Sequence, residues 1–153
     1  MPKTTTNLYR AIINGSFDGP FVVDDEPEEG LLYPRFESST YTDSYGNEKI
    51  SPADVSIILG KVQKGGGTSM FDVDGWFGFS NWQYFFVPNN TEYPETLFIK
   101  KGSSVRTNRS GNRTGRHYQI EPKNPMTLEA YKGALDNFAR NAVAQQVALV
   151  RTK

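Results

Sequence analysis

The chain has 153 residues, 17 Lys and Arg against 17 Asp and Glu for a formal net charge of zero, one His and no Cys. That length fits one domain spanning residues 1–153, large enough to bury roughly two thirds of its unfolded surface without covalent staples, and the missing cysteines exclude disulfides, thiol nucleophiles and Cys-based zinc sites. No apolar run approaches the length of a membrane span, so a soluble protein with no membrane partner is expected. Residues 1–7 are polar, so any export is expected to use a route other than a classical signal peptide.

In chain order, Thr6 to Ile13 reads as a first strand, with Leu8, Arg10 and Ile12 on one face and Tyr9, Ala11 and Ile13 on the other. Arg10 interrupts an apolar face, which suits an ion pair, a snorkelling strand end or a ligand contact. A wholly acidic stretch follows, with Asp18, Asp24, Asp25, Glu26, Glu28 and Glu29 and no base, and then an irregular region from Leu31 to Tyr45. A helix is expected from Ser51 to Val62: Ser51 suits an N-cap, Pro52 the first turn, and Val55, Ile58, Leu59 and Val62 keep helical spacing.

Lys64-Gly65-Gly66-Gly67-Thr68-Ser69 then ends that helix and delivers two adjacent hydroxyls. Glycine backbone can approach a ligand closely, although a C-cap and loop explain the same residues. A helix C-terminus carries partial negative charge, so this is no phosphate cradle, and Lys64 precedes the glycines where a Walker A loop needs a lysine after them. Trp76 to Phe79 and Trp82 to Val87 are aromatic-rich, fitting strands or the wall of a cleft.

Leu97 to Lys101 and Val105 to Arg109 are short strand candidates inside a stretch with Lys100, Lys101, Arg106, Arg109, Arg113 and Arg116 and no acid. Rich in Ser, Asn, Gly and Thr, this basic stretch reads as a mobile loop able to meet an anionic ligand or partner. Arg116 to Glu121 alternates, placing His117, Gln119 and Glu121 on one face and Tyr118 and Ile120 on the other, with His117 and Glu121 roughly 13 Å apart. Thr127 to Val150 is a long helix whose buried stripe is Leu128, Tyr131, Leu135, Phe138, Ala142 and Val143.

Taken together, Leu8-Tyr9-Arg10-Ala11, Leu31-Leu32 with Pro34, Gly66-Gly67-Thr68-Ser69 with Phe71-Asp72, Val87-Pro88, His117-Tyr118 and Leu135-Asp136-Asn137-Phe138 resemble, in order and nearly end to end, a family of ADP-ribosyltransferase-like cytotoxic effectors. Those effectors are delivered by bacterial type VI secretion and neutralised by a cognate immunity protein. The resemblance implies an α+β fold: a split, bent pair of β-sheets with flanking helices and a long C-terminal helix, binding NAD in the cleft between the sheets. It also implies a basic residue on the first strand, a Ser/Thr pair on a middle strand and a polar group on a later one. Arg10, Thr68-Ser69 and His117 fall on those places. Many transferases of this fold carry glutamate at the third place, where this chain has His117, and the role of Glu121 stays open.

Breaking the nicotinamide–ribose bond passes through an oxocarbenium-like state, so catalysis consists of holding the ribose and stabilising positive charge. With Arg10, Ser69 and His117 as the catalytic candidates, Arg10 is expected to hold the pyrophosphate or ribose, and a ligand-facing guanidinium adds little to the core. Gly67, Thr68 and Ser69 are expected to shape the nicotinamide pocket, His117 to orient a ribose hydroxyl, and Phe71 or Tyr84 to stack on the nicotinamide. The acceptor of ADP-ribose is open; water would make the protein an NAD glycohydrolase. A degenerate cleft that only binds a partner is the non-enzyme alternative. A Ser69-His117-Asp72 hydrolase lacks a nucleophile-elbow sequence, and one histidine with scattered carboxylates offers no metal-ligand spacing.

Overall fold

The computed structural model describes residues 1–151. Its strands are β1 (Leu8–Ile13), β2 (Val22–Val23), β3 (Glu26–Pro27), β4 (Ser39–Thr42), β5 (Glu48–Ser51), β6 (Ile57–Ile58), β7 (Lys61–Val62), β8 (Thr68–Phe71), β9 (Trp82–Val87), β10 (Leu97–Thr107), β11 (Thr114–Pro122) and β12 (Met126–Thr127), followed by helix α1 (Leu128–Arg151). A five-stranded sheet in the order β10-β11-β8-β1-β9 forms the centre, with a three-stranded sheet β12-β7-β6 and the hairpins β2-β3 and β4-β5 around it. The fold class is α+β, as expected. The flanking helices are not found; α1 is the one helix among the described residues.

Period-two alternation produces the central sheet. Leu8, Ile12, Met70, Phe85, Val87, Tyr118 and Ile120 are buried. Register pairs place them on one face: Leu8 opposite Val87, Tyr118 opposite Met70, Ile120 opposite Thr68. Helix α1 covers that face with Tyr131, Leu135, Phe138, Ala139, Ala142 and Val143, the expected stripe with Leu128 only partly buried. Thr127 Oγ1 caps it by accepting the Ala130 N–H at 3.2 Å. Tyr131 Oη donates to the Ile120 carbonyl at 2.7 Å, so this buried aromatic satisfies its polar tip while filling the core.

The helix expected from Ser51 to Val62 is absent. Ile57–Ile58 and Lys61–Val62 instead pair as a hairpin, and β7 continues onto β12 through Val62 opposite Met126. Leu59 (φ 51°) and Gly60 (φ 76°) form its two-residue turn, both in the left-handed region that primed turns require. Of the four residues at helical spacing, only Val55 and Val62 are buried, while Leu59 is 97% exposed. Asp24 (φ 53°) and Asp25 (φ 61°) make an equivalent turn between β2 and β3, so the acidic stretch is a small hairpin.

The basic stretch is not a mobile loop. Most of it lies in β10 and β11, paired from Leu97 opposite Pro122 to Thr107 opposite Thr114 with an irregularity between Lys101 and Val105. Asn108, buried, closes the turn: its Oδ1 accepts the Asn112 and Arg113 N–H groups, both at 3.1 Å. β10 is an edge strand, and its Lys100, Lys101 and Arg106 are charges of the kind that guard an open edge.

The glycine run is wedged between protein segments. A Cβ on Gly66 would lie 2.3 Å from the Asp54 carbonyl oxygen, and one on Gly67 would lie 1.9 Å from that of Ile120. Gly133 on α1 has no atom within 4 Å of such a Cβ. Gly67→Ala is therefore expected to destabilise the fold by about 1–3 kcal/mol through overpacking, and Gly133→Ala to stabilise it by about 0.5–1 kcal/mol through helix propensity. Denaturant titration of the two variants should move the midpoint in opposite directions.

Candidate active site

The site begins as a break in the central sheet. β1 pairs with β9 along all its length, from Leu8 opposite Val87 to Ile13 opposite Trp82, but its register with β8 is the single pair Tyr9 opposite Phe71. Beyond that pair the two strands part, and a cleft of about 560 Å³ opens where Arg10 and Ser69 would otherwise share a ladder. Tyr33, Phe71, Phe77 and His117 also line it.

Arg10 spans the break. Its Nη1 donates to the Ser69 carbonyl at 3.1 Å and its Nη2 to the Tyr33 carbonyl at 2.9 Å. The buried Nε has no protein acceptor among the described residues. Burial works against the charged form of this guanidinium, with Asp54 opposing that effect. The side chain is thus part of the architecture, contrary to the expectation that it adds little to the core. Removing it would leave two carbonyls unpaired, at a cost of about 1–3 kcal/mol each where they are buried.

Ser69 and His117 reach the same cleft on neighbouring strands, Ser69 opposite Gln119 and His117 opposite Phe71. The His117 ring meets the edge of Phe71 with centroids 5.5 Å apart and planes at 65°. Burial lowers its pKa from the ordinary 6.5, and the Arg106 guanidinium pushes the same way. Phe71 is stacked on Trp76 at 4.7 Å and 10°, so one of its faces is taken. Phe71 and His117 also border a second cavity of about 210 Å³ with Trp76 and Arg106.

Three expected site residues serve the walls from behind. Thr68 is fully buried and its Oγ1 donates to the Leu32 carbonyl at 2.5 Å, tying β8 to the segment across the cleft. Gly67 packs on Ile120. Tyr84 does not line the cleft: its Oη accepts the Phe77 N–H at 2.9 Å and donates to the Gly78 carbonyl at 2.7 Å, pinning the turn that presents Phe77. Glu121 is buried and likewise lies outside the lining. It accepts the Gly65 N–H at 3.2 Å and the Gln119 amide at 3.0 Å, holding the start of the glycine run.

Sequence reasoning missed Tyr33, Arg35 and Asp54 as cleft residues and placed Phe77 and Trp82 only in aromatic-rich segments fitting strands or a cleft wall. Arg35 and Asp54 are clasped by reciprocal bonds, Arg35 N–H to Asp54 Oδ2 at 2.7 Å and Asp54 N–H to the Arg35 carbonyl at 2.8 Å. The misplaced helix hid that clasp. Phe77 and Trp82 stack at 4.7 Å, and the aromatic density of their segment was the signal for a cleft wall. Among the described residues no group of His, Asp or Glu is arranged to hold a metal ion, and no helix is long and apolar enough to cross a membrane.

Comparison with known proteins gives the family. The model of the Tse2 ADP-ribosyltransferase toxin family matches residues 5–147, which contain every cleft residue named above. Toxin Tse2 of Pseudomonas aeruginosa is 32% identical over 157 aligned positions, covering 94% of this chain and 92% of that protein. With a cleft that opens at a break beside Arg10, and with similarity sustained across almost the entire length, this chain belongs to the Tse2 family of ADP-ribosyltransferase toxins.

Proposed function

We propose that the cleft binds NAD and that the domain, residues 1–153, transfers ADP-ribose from it to an acceptor in the cytoplasm of a target cell, with a cognate immunity protein restraining the toxin. As a member of an ADP-ribosyltransferase toxin family the chain is a cytotoxic transferase. The observation that supports the placement of NAD is the orphaned Nε of Arg10, a buried donor beside a cleft of about 560 Å³. A pyrophosphate or ribose oxygen is the complementary acceptor, and a guanidinium already fixed by two carbonyls loses little further freedom on binding one. NAD supplies a leaving group whose departure leaves positive charge on the ribose.

The protein's residues then orient and shield. Arg10 anchors the nucleotide, Ser69 offers a hydroxyl at the nicotinamide end, and neutral His117 accepts a hydrogen bond from a ribose hydroxyl. Phe77 and Trp82, stacked on one another, give the nicotinamide an aromatic wall. The segregated charge of the β2–β3 hairpin and of β10–β11 supplies complementary patches for steering a partner protein.

Purified protein given labelled NAD in a bacterial lysate should release nicotinamide and leave the label on an acid-insoluble macromolecule. Release without retained label would make it a glycohydrolase, and no release would overturn the reading. Ser69→Ala and His117→Ala should each lose about 10²-fold or more in turnover while unfolding at nearly the wild-type temperature.

The lowered pKa of His117 gives this reading a pH signature. Because the folded value lies below that of the unfolded chain, the stability contribution is complete above about pH 6.5 and declines as pH falls from there toward the folded value. Activity that needs the neutral ring should persist below pH 6.5 and fail at the folded pKa. As the chain has a single histidine, one imidazole resonance reports the titration by NMR. Arg106→Gln should raise that pKa without restoring the ordinary value, since burial, the larger cause, remains.

A further inference from the structure

We propose that Asp136, on helix α1 and outside the cleft, is a positioning residue that sets the orientation of the Arg10 guanidinium by gripping the turn from Gly30 to Tyr33. Its two carboxylate oxygens are both committed to that turn: Oδ1 accepts the Gly30 N–H at 3.0 Å, and Oδ2 accepts the Tyr33 hydroxyl at 2.6 Å. The Tyr33 carbonyl in turn receives Arg10 Nη2 at 2.9 Å. A continuous chain of bonds therefore runs from the helix, through one turn, to the group that holds the nucleotide.

The turn depends on such bonds because it belongs to no strand. Gly30 sits at φ 89°, and the Tyr33 N–H closes onto the Gly30 carbonyl at 3.1 Å. Leu31 and Leu32 are 1% exposed and anchor the segment by burial, which has no direction. The Thr68 hydroxyl fixes the Leu32 carbonyl at 2.5 Å, which leaves the Gly30 end and the Tyr33 ring to be held from the helix. The carboxylate fork supplies direction. Burial and the bond to Asp136 both raise the Tyr33 pKa, so the phenol stays a donor. Lys132 Nζ lies 5.8 Å from the centre of the Tyr33 ring and 5.3 Å from that of Phe36, holding the outer face of the same turn.

This inference rests on Arg10 binding NAD, and its test separates the two ideas. In the ligand-free protein, the guanidinium protons of Arg10 should exchange slowly with solvent; Tyr33→Phe should speed that exchange and Asp136→Ala should speed it further. Unchanged exchange in both variants would overturn the role of Asp136, whatever NAD does. In the transferase assay, Asp136→Ala should raise KM for NAD about 10-fold with kcat within about twofold, the pattern of lost uniform binding. Asp136→Asn, which keeps an acceptor for Gly30, should recover part of that loss.

A fall in kcat with KM unchanged would overturn the proposal, since a merely destabilised protein loses active molecules and not affinity. Should Asp136→Ala fail to fold, Tyr33→Phe removes only the hydroxyl's bonds, to Asp136 at 2.6 Å and to Glu29 at 3.5 Å, and carries the same test: slower or equal Arg10 exchange, or an unchanged KM, counts against the proposal. Altered exchange combined with a wild-type protein that releases no nicotinamide would uphold the Asp136–Arg10 coupling and refute the NAD reading.

Discussion

A buried guanidinium standing where two strands part is the constraint on which the rest of this structure depends. Parting β1 from β8 leaves carbonyls without ladder donors, and buried carbonyls left unpaired are costly. Arg10 resolves this with a planar fork that reaches Ser69 on one side and Tyr33 on the other. An ammonium would place a single point charge there; the guanidinium can serve both walls and still hold a donor in reserve. The same side chain therefore bridges the two walls and lines the cleft between them.

Around that fork, the walls are stiffened from outside. Thr68 ties β8 to Leu32, Tyr84 and Asn108 pin the turn carrying Trp76 and Phe77, and Glu121 braces the first glycine of the run. Thr68, Tyr84 and Glu121 act from strands and Asn108 from the β10–β11 turn, and each fixes backbone that has no strand partner. The glycines belong to this bracing. Gly66 and Gly67 allow Asp54 and Ile120 to close on the strand start, so close approach between protein segments, and not approach to a ligand, accounts for them.

The sequence was legible wherever one face of an element is buried over several residues. β1, β11 and α1 follow from alternation or helical spacing because each lays an apolar set against one core, while β9 showed as an aromatic-rich segment fitting a strand or a cleft wall. The segment from Ser51 to Val62 misled because its strands are two residues long, too short for period two to register, while its apolar residues happen to fall three and four apart. Leu59 at a positive φ was the feature no pattern could announce. In the site, Arg10, Ser69, Phe71 and His117 were visible through side-chain chemistry and family resemblance. Tyr33 was not, because it contributes a main-chain carbonyl that every residue possesses, and Asp136 acts through it from 103 positions away.

Those separations also govern when the cleft can exist. Arg10 meets Ser69 across 59 positions, and Gly30 meets Asp136 across 106. Contacts that close such long loops form late, since the chain entropy of closure must be met before they return any stabilisation. A nascent chain from which α1 has not yet emerged lacks the carboxylate that grips the turn facing Arg10. The walls of the cleft are thus completed only once α1 has packed onto the sheet.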